Sequence, residues 1–201
     1  MQFEFLVEGE SDEIAVRELA ARALGPDHAV EVRRFQGKED LLARWPERAA
    51  AYARIADPNR RIVVVLDNDR GNCIDLRRRV EAVARTAGLK VDGPLTARQV
   101  VVRIAMHELE AWFLGDVSAL RAAYPGVPET LAARRGFRDV DSIERPHARL
   151  ERVLQNAGYH ASRLDKIRAA QDIAPHMNPR SNRSRSFCVF VRGLRELAGE
   201  P

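Results

Sequence analysis

Five consecutive residues, Ile62-Val63-Val64-Val65-Leu66, are apolar and mostly β-branched, and they run directly into Asp67-Asn68-Asp69. A segment with no polar side must be covered on both faces, which makes it a central strand of a parallel sheet. Its acids then stand at the carboxyl end, where open α/β sheets place their ligand sites. Residues 2–7 read as a second buried strand ending at Glu8-Gly9, and residues 29–35 and 99–105 supply two more. Helical patterns lie between and after them. One is opened by Asp12 and Glu13 and stopped at Gly25-Pro26, and a second runs from Gly37-Lys38 to Pro58-Asn59. A third covers about Cys73 to Ala87, and a fourth covers His107 to Leu114. This alternation predicts an α/β fold with a Rossmann-like, mostly parallel central sheet flanked by helices. From Asp116 onward the chain reads as helices separated by prolines. Residues 1–115 are therefore expected to form the α/β core, and 116–201 a helical, basic extension packed on it.

A chain of 201 residues, 45% of them hydrophobic, can bury one proper core. It contains no run of about 18 apolar residues that could span a bilayer, and the segment after Met1 does not read as a secretory leader. A soluble, cytoplasmic protein without membrane association is expected. Two cysteines, Cys73 and Cys188, are too few for a disulfide framework or a structural zinc site. The charge is unevenly placed: residues 1–129 carry 19 Lys and Arg against 21 Asp and Glu, whereas residues 130–201 carry 14 against 8. An acidic front half and a basic back half suit a metal site beside a polyanion track, although an Arg-rich solvated helix face gives the same count.

Asp67 and Asp69 point to the same side if extended geometry persists beyond the strand. Two carboxylates held together repel, and a divalent cation relieves that repulsion; oxygen ligands of this kind favour Mg²⁺ or Mn²⁺ over zinc. An isolated Asp-x-Asp also occurs in ordinary turns. Glu8 strengthens the metal reading, because a second strand also ends in a carboxylate, next to a glycine that lets a phosphate or metal approach. Asp12 and Glu13 are explained by the preference for acids in the first turn of a helix. Arg103, inside a buried-looking strand, is expected to pair with a carboxylate. His107, His147, His160 and His176 show no metal-ligand spacing and are read as surface histidines.

The stretches Leu6-Val-Glu-Gly-Glu-Ser-Asp-Glu13, Val63-Val-Val-Leu-Asp-Asn-Asp-Arg70 and Arg103-Ile-Ala-Met-His-Glu-Leu-Glu-Ala-Trp-Phe-Leu-Gly-Asp116 resemble the bacterial domain-of-unknown-function 4276 family. That family is similar to the Toprim-like nucleases of overcoming-lysogenization-defect proteins. The resemblance runs from residue 3 to about residue 197 and includes Phe35-Gln-Gly-Lys38 and Asn182-Arg-Ser-Arg-Ser-Phe187. It implies a Toprim-like fold with Glu8 as general acid/base or metal ligand and Asp67 and Asp69 as metal ligands. Glu108 and Glu110 would add to a second metal position. Residues two apart on a helix sit about 200° apart, so both face one metal only if the helix starts later or is irregular.

Lys166, in a predicted helix over 162–174, falls where the resemblance implies a basic residue that stabilises phosphate charge as part of catalysis. Lys38, Arg183, Ser184, Arg185 and Ser186 are the candidate nucleic-acid contacts. The last four stand at a helix start that could cradle phosphate, and Ser184 or Ser186 could equally be only a helix cap. The expected function is a Mg²⁺- or Mn²⁺-dependent nuclease on DNA or RNA phosphodiesters, with two metals about 4 Å apart flanking the phosphate. The resemblance implies a defence or repair role alongside a separately encoded ATPase, since the chain has no Gly-x-x-x-x-Gly-Lys-Ser/Thr loop of its own. Two alternatives stand beside it: a non-catalytic module binding nucleic acid or the ATPase, and a Toprim ribonuclease of RNA processing.

Overall fold

The apolar run at 62–66 is an inner strand, as its composition requires. In the computed structural model, which describes residues 1–69 and 71–200, four strands pair in parallel: β1 (Gln2–Val7), β2 (Ala29–Arg34), β3 (Arg60–Asp67) and β4 (Val100–Ala105). Their order is β2-β1-β3-β4. Arg70, which closes the motif at 63–70, lies outside the described residues. The crossovers carry α1 (Glu10–Leu24), α2 (Lys38–Ile55) and α3 (Cys73–Thr86).

Strand periodicity splits the core into two layers. Phe3, Phe5 and Val7 of β1 join Val63, Val65 and Val101 on the α1 side, and Leu6, Ile62, Val64, Leu66 and Val102 join Leu41, Trp45 and Val80 on the α2–α3 side. Both faces of the inner strands β1 and β3 are therefore largely dry, as parallel strands demand.

The remaining helices are α4 (Glu110–Gly115), α5 (Val117–Ala123), α6 (Pro146–Asn156), α7 (Lys166–Ile173) and α8 (Arg185–Ala198). They extend the α1-side layer: Phe187 and Phe190 of α8 are fully buried in the same cluster as Phe3 and Phe5. Trp112 is the hub. Its ring lies 4.9 Å from Phe190 and 5.5 Å from Phe187, and its indole N–H donates to Ser186 Oγ at 3.0 Å. Buried Asp116 ties the same region together, accepting from Ala119 N at 2.9 Å and from Asn178 N at 3.0 Å.

Arg103 departs from expectation. No carboxylate among the described residues pairs with it; one guanidinium nitrogen donates to the Val102 carbonyl at 3.2 Å and Nε is buried without an acceptor. Its group lies close against α8 at Gly193, where a Cβ would come 1.8 Å from Arg103 Nη2 and push the guanidinium aside.

The buried charge that is satisfied is Glu4, only 1% exposed in the middle of β1. It accepts from Tyr52 Oη at 2.6 Å and Arg60 Nη1 at 3.0 Å, and it pairs with Arg33 across β2. Glu4→Ala strands these donors around a void and is expected to cost about 3 kcal/mol in urea unfolding, whereas Tyr52→Phe, which removes one hydrogen bond, costs about 1 kcal/mol.

Candidate functional site

β1 is followed by a crossover toward β2 and β3 by one toward β4, so the carboxyl ends of β1 and β3 flank the point where the strand order reverses. Glu8 comes directly after β1, and Asp67 is the last residue of β3. The two are joined: the Asp67 N–H donates to Glu8 Oε1 at 2.8 Å. Asp12, the third residue of α1, turns its carboxylate back to accept the Gly9 N–H at 2.9 Å. Glu110, the first residue of α4, is buried and lies 2.9 Å from the ammonium of Lys166, the first residue of α7. The Asp165 side chain caps α7 by accepting from Arg168 N, which fixes where Lys166 emerges.

Four carboxylates thus share one crevice with the ammonium of Lys166, while that of Lys38 acts on Glu8, and their protonation reports the crowding. Burial, then the negative charges of Asp12, Glu8 and Glu110, hold the Asp67 carboxyl well above the usual carboxylate range, with Lys166 opposing. Burial pushes Glu8 up to about 7; the Asp67 N–H and Lys38 pull it down, and Asp12 and Asp69 add to the rise. Asp12 is pushed up to about 6, first by burial and then by Glu110. Lys166 shows the converse: burial alone would lower it, but Glu110 leads a set of carboxylates that holds its pKa above the ordinary lysine value. Its ammonium is a fixed positive charge at neutral pH, not a base.

The side chains suited to a metal are Glu8, Asp12, Asp67 and Glu110. They offer only hard oxygen donors, which fits a divalent cation such as Mg²⁺ or Mn²⁺. The Asp67 carboxylate accepts no hydrogen bond among the described residues, so its capacity is unspent while its charge is costly. Among the described residues no three Asp, Glu, His or Cys side chains already stand in coordinating arrangement.

Other expected site residues are placed differently. Asp69 does not continue the strand: its φ of 51° turns the chain, and its half-exposed carboxylate pairs with Lys38. The same-side geometry expected for Asp67 and Asp69 therefore fails, because a left-handed residue breaks the period-two alternation. The turn is matched by His107, φ 60°, whose carbonyl accepts the Asp69 N–H at 2.8 Å and whose Nδ1 lies 2.7 Å from the Asp69 carbonyl. α4 starts at Glu110, later than the expected helix, so Glu108 precedes it and its carboxylate is taken by His147. The His147 backbone N–H donates to Glu108 at 2.8 Å, and its Nδ1 sits 2.6 Å from Glu108 Oε1.

Ser184 and Ser186 are spent inside the protein. Ser184 is fully buried, caps α8 through Phe187 N and donates to Asp141 at 2.7 Å. Ser186 Oγ receives the Trp112 indole N–H, and its own N–H donates to Asp141. Their hydroxyls anchor α8, so they do not form the expected phosphate cradle. Arg183 donates to the Ala132 carbonyl, and Arg185 lies on the surface.

Asp12 and His147 are the residues that periodicity misses. The signal for Asp12 is its Gly9-x-x-Asp12 spacing, which curls a side chain back over the helix start and onto the strand end. His147 has no local signal, since its partner Glu108 lies 39 residues away.

Fold and site together define a doubly wound parallel α/β domain with a carboxylate cluster at its topological switch point. The family described as "Domain of unknown function (DUF4276)" matches residues 7–195, and the chain belongs to it. The C-terminal region of the OLD protein of Xanthomonas campestris pv. campestris shares the fold, with a TM-score of 0.50 over 98% of this chain and 94% of that one at 20% identity. No curated protein matches the chain.

The proton affinities give the sign of a pH effect. Glu8 and Asp12 hold protons more tightly folded than unfolded, so their contribution to stability is full at low pH. It is lost as pH rises from 4.5 to about 7 for Glu8 and from 3.8 to about 6 for Asp12. Without divalent metal the protein is expected to melt at a lower temperature at about pH 8 than at about pH 5. Asp67→Asn should raise the melting temperature at the higher pH by at least about 3 °C, the shift produced by about 1 kcal/mol in a chain of this size. Circular-dichroism melts in EDTA check both; a variant no more stable than wild type would mean that the carboxylates do not repel.

Proposed function

We propose that this chain is a Toprim-type nuclease that hydrolyses nucleic-acid phosphodiesters with Mg²⁺ or Mn²⁺. The observation that carries this function is the half-buried Asp67 carboxylate, unpartnered among the described residues and crowded by Glu8, Asp12 and Glu110. Charge repulsion that a protein retains in a crevice at its strand ends is a mark of function, because an amide or hydroxyl there would cost less. A divalent cation bound by these oxygens supplies the positive charge that lets them ionise together and that polarises phosphate and water.

The chain's own residues supply the rest. Glu8, near pH 7 in its proton affinity, is matched to accept or return a proton at neutral pH. Its orientation is fixed by the Asp67 N–H, so the carboxylate oxygen not held there is the free one. Lys166 presents a permanent ammonium at the start of α7, where the helix dipole adds positive potential, and can stabilise charge developing on a phosphoryl oxygen. Lys38, on the opposite rim and paired with Asp69, can exchange that partner for a phosphate. The basic C-terminal part, 14 Lys and Arg against 8 Asp and Glu, favours a polyanionic substrate. The setting proposed with this activity is defence or repair alongside a separately encoded ATPase.

A second function has its own observation. The site's cations already neutralise two of its acids, through Lys166–Glu110 and Lys38–Asp69, as in a module that binds nucleic acid or an ATPase without cleaving.

The two separate in one assay. Labelled single- and double-stranded DNA and RNA are incubated with protein and Mg²⁺ or Mn²⁺. Wild type is expected to cleave, EDTA to stop it, and Asp67→Ala/Asp69→Ala to abolish it with the fold intact. Lys166→Ala should lower kcat by about 10²-fold. The cleaved polymer decides between DNA processing and RNA processing. Cleavage undiminished in the double variant would overturn the site, and metal-independent binding without cleavage by wild type would establish the binding module.

A further inference from the structure

We infer that the open edge of β4 is a docking groove for an extended partner segment that alternates apolar and acidic residues. Among the described residues β4 pairs only with β3, so one of its edges has no neighbouring strand there. The hydrogen bonds Ile62 N to Gln99 O and Asn68 N to Ala105 O show which peptide groups face β3. They are those of the odd-numbered residues, and alternation sends the peptide groups of Val102 and Ile104 outward. Three outward groups along this edge are satisfied: the Val100 N–H by the Lys90 carbonyl, the Val102 carbonyl by Arg103, and the Met106 N–H by Ser186 Oγ. Among the described residues the Val100 carbonyl, the Val102 N–H and both peptide groups of Ile104 are left for an incoming strand.

The space beside that edge has the shape such a strand needs. A cavity of about 480 Å³ lies along β4 between α3 and α8. Ile74 on α3 and Val189 on α8 line it and are 49% and 44% exposed, unusually open for large apolar side chains. An added strand sends alternate side chains to opposite faces, so its apolar set meets Ile74 on α3 and its acidic set meets Arg103 and Arg185 beside Val189 on the α8 side. Main-chain pairing supplies affinity and the two walls supply selectivity, as in strand addition generally.

Charge specifies the occupant. Arg77, Arg103 and Arg185 line the groove. Arg103 is the decisive one: its Nε is buried without an acceptor, burial lowers the group to about 10, and Arg98, Arg77 and Arg192 add to that fall against Glu196 alone among the leading causes. Of the two acids on the lining, Asp141 is already committed to Ser184 and Ser186, which leaves Asp139 on the rim. A carboxylate arriving on the partner segment supplies the missing charge. A second copy fits less well, because antiparallel pairing of two β4 edges brings these arginines against their own copies. Nucleic acid would use the arginines but neither the free peptide groups nor the apolar pair.

The test is selection from a displayed library of random linear peptides against the full chain, followed by affinity measurement with the enriched peptides. Peptides with alternating apolar and acidic residues are expected. Ile74→Asp and Val189→Asp, both at exposed positions, should each weaken binding at least tenfold, and hydrogen exchange should slow at the Val102 and Ile104 amides in the complex. Three results would overturn the inference: no enrichment, enriched peptides that bind both variants as tightly as wild type, or a wild-type dimer that either variant dissociates. A single-stranded oligonucleotide that protects the same two amides would replace the peptide with nucleic acid.

Discussion

Negative charge gathered at the ends of two neighbouring parallel strands is the constraint around which the rest of the molecule is arranged. Glu8 and Asp67 are delivered there by β1 and β3, and the hydrogen bond between them locks the two strand ends together. α1 brings Asp12 through its own first-turn geometry, and α4 brings Glu110 from beyond β4. Each arrival raises the cost of ionising the others. The dry, close-packed sheet beneath, with Phe5, Val63 and Val65 fully or almost fully buried, supplies the stability against which that cost is set.

The C-terminal helices answer the same constraint. α7 returns to place Lys166 against Glu110, and α8 holds that layer in place through Trp112, Phe187, Phe190 and the buried serines. The hydroxyls of Ser184 and Ser186 and the carboxylate of Asp141 form a polar clasp inside an otherwise aromatic contact. Such a clasp fixes one register for α8, because any shift leaves a buried polar group unpaired. Glycine at 193 lets the guanidinium of Arg103 lie directly against the helix.

What sequence reveals here follows the range of the forces involved. The strands were legible because a parallel sheet, dry on both faces, demands uninterrupted apolar runs, and 62–66 is one. Glu8 and Asp67 were legible because strand ends are visible as the point where such a run stops. Asp12 was hidden by a sound local explanation, the preference for acids in the first turn of a helix, which it satisfies while also acting on Asp67. The pairing of Asp69 with Lys38 was not legible because its own left-handed backbone, held by His107 from a distant loop, ends the strand alternation. Glu108 and His147, Arg103 and Gly193, and Ser184 and Asp141 are all long-range pairings, and periodicity carries no information about partners so far apart.

The position of Lys166 has a consequence for how the site comes into being. Asp12, Asp67 and Glu110 all precede it in the chain, and the ammonium that opposes them sits on a helix that docks against α1 and the last part of the core. During synthesis the acids are therefore present while their ammonium has yet to leave the ribosome. The crevice gains its full charge pattern only when the C-terminal third has closed over it, so its completion reports that the whole chain has folded.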